Sequence, residues 1–238
     1  RPGRHDRGDD RPRAGMTNSG VERFYGRIAP RYDLLATAPL VRRWRECAVE
    51  ALDLSPGDTV VEMGCGTGAN VPSIRERVGS EGRVVGIDRT QGMLAQARER
   101  VERAGWANVS LVRGDATSPP IDGADAVLGS FVVGLFDDPG AAVDRWLDAL
   151  EPGGRIAILE AGRSDRLLAP PLNLAFRAFV RVSSPGGPTR WHSPARQLDR
   201  RIAAARDALV ARTVERRHET AALGLVSVTS GRLPVDVP

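Results

Sequence analysis

Residues 60–68 read Val-Val-Glu-Met-Gly-Cys-Gly-Thr-Gly, an apolar β-branched pair running into glycines at alternate positions. A strand that ends this way lets the backbone turn sharply and lets a ligand come close, because no Cβ stands in the way. The amides that open the following helix then face that ligand and favour negative charge. Twenty residues after Gly68, a second apolar run, Val84-Val85-Gly86-Ile87, ends in Asp88. A carboxylate at the tip of the neighbouring strand is the usual acceptor for the two hydroxyls of a ribose. A third apolar run over 109–112 leads to Gly114-Asp115-Ala116, where a carboxylate can accept from an adenine amino group. Together these features predict a nucleoside-binding crevice.

Two cofactor classes fit such a crevice. Gly64, Gly66 and Ala69 satisfy G-x-G-x-x-G/A, the dinucleotide pattern, so an NAD(P)-binding oxidoreductase is one reading. Against it, Glu62 precedes the loop and Gly68 adds a third alternating glycine, giving E-x-G-x-G-x-G. Leu150-Glu151-Pro152-Gly153-Gly154-Arg155 then leads into Ile156-Ala157-Ile158-Leu159. These four blocks, in this order and spacing, resemble the class I S-adenosylmethionine-dependent methyltransferases, and the resemblance covers 25–232. The segment Phe24-Tyr25-Gly26-Arg27-Ile28-Ala29-Pro30-Arg31-Tyr32-Asp33-Leu34-Leu35 is similar to the start of the menaquinone/ubiquinone C-methyltransferases and to bacterial phosphatidylethanolamine N-methyltransferases. The chain departs from the quinone family at 62–68, where that family more often has an Asp and an Ala/Gly variant, and over 167–194.

The resemblance implies methyl transfer from S-adenosyl-L-methionine to a small or amphiphilic acceptor, quinone-like or phospholipid-like. A non-catalytic methyltransferase-like binding protein is a third reading. In the implied site, amides of the loop at Gly64, Cys65, Gly66 and Gly68, with Glu62 beside them, hold the amino-acid end of the cofactor. Asp88 takes the ribose, Asp115 and Ala116 frame the adenine edge, and Arg89 and Met93 flank the ring. Met93 equally suits a plain helix core. Ser130 closes the crevice at the end of a fourth strand, and Tyr32 lies on a segment that folds over the cofactor in such enzymes. Displacement at a sulfonium methyl needs positioning more than acid–base help, since orientation alone can supply on the order of 7–11 kcal/mol. No catalytic residue is therefore expected to declare itself. His192, in a Gly/Pro loop beside Trp191, is a weak candidate base, and His218 reads as an exposed strand residue.

Strands and helices must alternate to bring these positions together. Apolar patterning predicts a helix over 39–52 and strands over 59–63, 83–88, 109–113, 124–130 and 155–160. Helices lie between them, one beginning after Thr90 as a candidate N-cap. A helix over 197–211 and a hairpin of 214–219 with 223–230 follow. The alternation predicts an α/β fold with a covered parallel sheet. The resemblance sharpens this to a Rossmann-like doubly wound sheet of seven strands in the order 3-2-1-4-5-7-6, the last antiparallel, under an N-terminal helical cap at 21–53. Residues 1–20, rich in Arg, Asp, Gly and Pro, read as a disordered tail, with Met16 a candidate natural start. Residues 21–238 read as the methyltransferase domain. Within it, 163–196 reads as an acceptor-site lid: Leu167, Leu168, Leu172, Leu174, Phe176 and Phe179 supply an apolar face edged by Arg177 and Arg181.

At 238 residues the chain can bury one substantial core. Cys47 and Cys65 form neither a disulfide framework nor a zinc site, so no metal is expected and a reducing, cytoplasmic setting fits. No apolar run approaches the ~20 residues of a membrane span. The net charge of +4 is uneven, with every cationic side chain an Arg: twelve Arg stand against four acidic residues between 163 and 217. Such an excess can attract anionic headgroups, which predicts peripheral membrane contact through the C-terminal region. It lacks the interleaved aromatics of a base-stacking surface, so nucleic acid is not expected as a partner. The oligomeric state is left open.

Overall fold

A computed structural model describes residues 38–164 and 194–235. Its sheet has seven strands: β1 (Thr59–Met63), β2 (Arg83–Asp88), β3 (Val109–Arg113), β4 (Ala124–Ser130), β5 (Leu150–Ala161), β6 (Val214–Ala221) and β7 (Val226–Arg232). Their order is β3-β2-β1-β4-β5-β7-β6. The pairs linking β1 through β5 are parallel, whereas β7 runs antiparallel to both β5 and β6. The helices are α1 (Pro39–Glu50), α2 (Val71–Val78), α3 (Gln91–Ala104), α4 (Pro139–Asp148) and α5 (Pro194–Arg212).

The period of two along each strand sorts the apolar residues onto two faces. Val61, Met63, Val85, Ile87, Val127, Ile156 and Ile158 meet Trp146 and Leu147 of α4 and Ala205 and Leu209 of α5. Their neighbours Val60, Val84, Ala126, Leu128, Ala157 and Leu159 meet Ala48, Val49 and Leu52, around α1, and Ile74 and Val78 of α2. Each fully buried aliphatic side chain contributes roughly 1.5–3 kcal/mol, so both faces are needed to hold the sheet. Because β1 lies between β2 and β4, the chain leaves it in opposite directions. Ligands in open α/β sheets bind at that reversal, outside the carboxyl ends of the strands. Gly64 and Ser130 mark the spot.

The expected strands recur in the structure with three differences. β5 begins at Leu150, five residues before the expected start, because Leu150 pairs with Ala124 across a register shift while Gly153 turns through a positive φ of 84°. The hairpin turn is a 3₁₀ turn over Ala222–Gly224, which delays β7 to Val226. Thr90 precedes α3 but does not cap it with its side chain. Its amide is instead held by Asp88, as described below.

Candidate functional site

The loop after β1 turns through positive φ at Gly64 (69°), Gly66 (55°) and Gly68 (72°). At Gly64 a Cβ would also stand 2.4 Å from Val132 Cγ2, so glycine is required there twice over. The conformation aims three loop amides into the protein. Cys65 N–H donates to Ile87 O, Gly66 N–H to Asp88 Oδ2 and Gly68 N–H to Cys65 O, each at 2.9 Å. These three bonds tie the loop to β2 and to itself. Asp88 Oδ1 accepts from Thr90 N–H at 2.7 Å, so one carboxylate fixes both the glycine loop and the start of α3. Burial pushes the Asp88 carboxyl above its usual range, against the opposing bonds from Thr90 and Gly66.

Cys65 is buried, and its Sγ would lie 2.9 Å from a Cβ on Gly86, which makes that strand glycine a packing requirement. Burial pushes the Cys65 thiol up, with the charges of Glu62 and Asp88 adding to the effect.

Behind the loop lies a buried polar cluster. Asn70 occupies the N-cap position of α2 without capping it. Its Nδ2 donates to Glu62 Oε1 at 2.6 Å and to Ser130 Oγ at 3.1 Å, joining the ends of β1 and β4. Glu62 is 1% exposed, and burial pushes its carboxyl up to about 7, despite the nearby Arg45 charge and the Asn70 bond. Glu62 Oε2, Asn70 Oδ1 and Arg45 Nε have no hydrogen-bond partner. Such atoms are rare in folded proteins and call for an explanation.

On the rim, Arg89 and Asp115 form an ion pair at 2.9 Å. Asp115 Oδ1 also accepts from the Thr117 amide at 2.9 Å and the Thr117 hydroxyl at 2.8 Å. Partial burial raises the Asp115 carboxyl, but the Thr117 bonds and the Arg89 charge outweigh it and hold it below its usual value. Arg89, Arg113, Gly114 and Asp115 line an open recess of about 260 Å³. Ala116 is buried and its carbonyl accepts from Trp146 Nε1 at 2.7 Å, anchoring the rim to α4. Met93 is buried on α3 beside Leu94 and Ala97.

Ser130 ends β4, and the chain then bends at Phe131, whose φ is 55°. Glu160, 4% exposed at the end of β5, braces that bend: its Oε1 accepts from the Val132 and Val133 amides, both at 2.9 Å. Burial pushes Glu160 up to about 8, although the amides of Val133, Val132 and Gly134 favour its ionised form.

The structure therefore gathers Glu62, the glycine loop, Asp88 and Ser130 at one end of the sheet, with Arg89, Asp115 and Ala116 on the adjoining rim. Tyr32, His192 and most of the expected lid lie outside the described residues. His218 is exposed on β6, where its Nδ1 meets Thr229 Oγ1 at 2.8 Å. Sequence reasoning missed Arg45, Asn70 and Glu160. Asn70 had a weak signal, a cap-type residue just before a helix; Arg45 sits among other charged residues of an amphipathic helix and Glu160 ends an apolar run, and both become visible only through partners far along the chain. Among the described residues, no group of three or more His, Cys, Asp or Glu is placed to hold a metal ion.

A methyltransferase-domain family model matches residues 60–154. The chain is 36% identical over 142 residues to aklanonic acid methyltransferase DauC of Streptomyces sp. strain C5, covering 58% of this chain and 63% of that protein. It is 34% identical over 186 residues to the 2-phytyl-1,4-naphtoquinone methyltransferase of Synechococcus elongatus, covering 76% of this chain and 75% of that protein. Coverage of DauC and of the demethylmenaquinone methyltransferase of Shouchella clausii, at 63% each, stays below two thirds of their length. Among solved structures, a SAM-dependent methyltransferase from Aquifex aeolicus superposes with a TM-score of 0.59 at 18% identity, over 87% of this chain and 98% of that one. The Haemonchus contortus phosphoethanolamine N-methyltransferase 2 in complex with S-adenosyl-L-methionine gives 0.69 at 14% identity, over 94% and 61%. The solved structures share the fold, and the identity across three quarters of both partners goes further: the chain belongs to the class I S-adenosylmethionine-dependent methyltransferases.

Proposed function

We propose that this chain is an enzyme that transfers the methyl group of S-adenosylmethionine to a small, planar acceptor of quinone type. The observation that carries the reading is the buried cluster behind the glycine loop, where Glu62 Oε2 and Asn70 Oδ1 await hydrogen-bond donors. The amino-acid end of S-adenosylmethionine presents an ammonium group, so these residues fit the cofactor; a dinucleotide pyrophosphate in the same place would meet acceptors and a carboxylate. The acceptor class draws on the names of the relatives, which act on a naphthoquinone and on aklanonic acid.

When bound, the cofactor supplies an electrophilic methyl group on its sulfonium sulfur. The protein's part is placement. Asp88, fixed by two amides, still has lone pairs for the ribose hydroxyls. Asp115 and Ala116 bound the adenine edge, with Arg89 drawn toward that edge by its ion pair with Asp115. Met93 backs the site from the core side of α3, and Cys65 and Ser130 close its floor. Glu160 holds the Phe131 bend in place, so the wall opposite the glycine loop is rigid. The 163–196 stretch is the proposed acceptor-site lid, with His192 a candidate base.

A phospholipid-like acceptor at a membrane surface is the second reading, and it would rely on the Arg-rich segment. Several of those Arg are committed: Arg201 pairs with Asp137 at 2.9 Å, Arg212 with Asp148 at 2.7 Å and Arg163 with Asp199. No helix among the described residues is long and apolar enough to cross a membrane. Mass spectrometry of reactions containing S-adenosylmethionine with either a demethylated naphthoquinone or phosphatidylethanolamine vesicles separates the two. Methylation of the quinone alone is expected; methylation of the lipid alone would overturn the acceptor class. Binding of NADH without S-adenosylhomocysteine in a calorimeter would overturn the cofactor.

A further inference from the structure

We propose that Arg45, on a helix outside the 60–154 core of the family match, binds the carboxylate at the amino-acid end of the cofactor, opposite Glu62 and Asn70. The proposal rests on the cofactor reading above and adds a binding residue to it. Arg45 is 7% exposed, a position that an arginine seldom occupies without a partner. Its guanidinium carbon lies 5.1 Å from the centroid of the Phe131 ring. That contact takes up none of the guanidinium N–H groups as hydrogen bonds, and Nε has no partner. Glu62 is near enough for the Arg45 charge to act on it, yet neither unpartnered atom is satisfied by the other. The cluster thus offers two unpartnered acceptors, on Glu62 and Asn70, and one unpartnered cationic donor, on Arg45. An α-amino acid zwitterion is their complement: its ammonium group donates to the acceptors, and its carboxylate accepts from the guanidinium.

The loop geometry strengthens the inference. The amides of Cys65, Gly66 and Gly68 are already bonded within the protein, which gives side chains a larger share in recognising the amino-acid end. Phe131 sits at the bend that Glu160 braces, which fixes the platform under Arg45. The competing explanation is that Arg45 only offsets the buried Glu62 charge. The two roles differ in what they do to a ligand that lacks the amino-acid end.

Calorimetric titration of the full chain with S-adenosylhomocysteine and with 5′-methylthioadenosine, which has the nucleoside but no amino acid, separates them. For Arg45→Met, S-adenosylhomocysteine should bind about 10- to 100-fold more weakly, the loss expected for a charge-assisted hydrogen bond, while 5′-methylthioadenosine is unchanged. Arg45→Lys keeps the charge but loses the planar donor edge; it should lie between wild type and Arg45→Met for the first ligand only. It also stands in if Arg45→Met fails to fold. The groups acting on Glu62 are Arg45, Asn70, Asp88 and Arg100. Placing an ammonium beside it should release up to about half a proton at pH 7, seen as buffer-dependent heat with S-adenosylhomocysteine alone. Equal weakening of both ligands, or no change in either, would overturn the role of Arg45. Failure of the wild type to bind either ligand would instead overturn the cofactor reading beneath it.

Discussion

Gly64 and Gly66 share a left-handed backbone but differ in what surrounds them, and that difference is testable. A Cβ at Gly64 would meet Val132 Cγ2 at 2.4 Å, whereas one at Gly66 would meet nothing within 4 Å. Gly66→Ala should cost only the backbone strain, about 1 kcal/mol. Gly64→Ala adds a clash with the braced loop after β4, and should cost about 2–4 kcal/mol and weaken cofactor binding with it. Thermal melts of the two variants check the ranking; equal losses would mean that Val132 yields easily. Asp88 carries a double duty, since its two oxygens hold the Gly66 and Thr90 amides. Asp88→Ala should therefore weaken S-adenosylhomocysteine binding by on the order of 2–4 kcal/mol and also lower the melting temperature, because two amides lose their acceptor. Asp88→Asn keeps one acceptor and should lose affinity with a smaller drop in melting temperature. Unchanged affinity in a folded Asp88→Ala variant would place the ribose elsewhere.

At the scale of elements, two buried carboxyls link strand ends to the loops that form the crevice. Glu62, next to last in β1, meets Asn70 just before α2, and Glu160, next to last in β5, meets the bend after β4. Burial raises them to about 7 and about 8, from an ordinary carboxyl value of 4.5. The folded protein then keeps protons that the unfolded chain has lost. Their contribution to stability is full below about pH 4.5 and is lost as the pH rises through 7 and 8. Urea unfolding between pH 5 and pH 9 should show stability falling with pH by on the order of a few kcal/mol. Glu160→Gln should flatten the upper part of that slope, and a flat wild-type profile would refute the assignment. These braces also show what sequence can and cannot convey. The glycine loop, Asp88 and Asp115 were legible because their spacing is local: apolar run, turn, carboxylate. Glu160 was read only as a strand end, because its function depends on amides 27 and 28 residues away. Arg45 looked like one more polar residue on an amphipathic helix, yet the helix turns it inward beside Ala48 and Val49. The early start of β5 was hidden because Pro152-Gly153-Gly154 has the composition of a turn, while pairing with β4 decides the backbone there.

For the whole molecule, the sheet order follows from alternating strands and helices plus one antiparallel hairpin, and among the described residues that hairpin leaves an open edge. β6 lies at the end of the sheet, with residues 214–220 exposed. An edge strand offers its free N–H and C=O groups to any other strand, so a stable soluble fold needs a device that discourages pairing. Two are present. The register between β6 and β7 shifts between Val214 and Arg217, where Glu215 adopts a φ of 49°, so the edge is bulged and bent. Along the strand, bulge included, Glu215, Arg216, Arg217 and Glu219 keep charge on both faces, and Glu215 is further engaged by Arg155 and Arg232, each at 3.1 Å. Within the straight part, Arg217 and Glu219 lie opposite Ser230 and Val228 on one face. Replacing both by Val would leave a β-branched face beside open backbone groups while sparing the bulge and its ion pairs. The Arg217→Val/Glu219→Val variant should keep the melting temperature of the wild type to within a few degrees and yet associate as its concentration rises, by sedimentation velocity. If it sediments as the wild type does at every concentration, the bulge alone protects the edge and the charges are incidental.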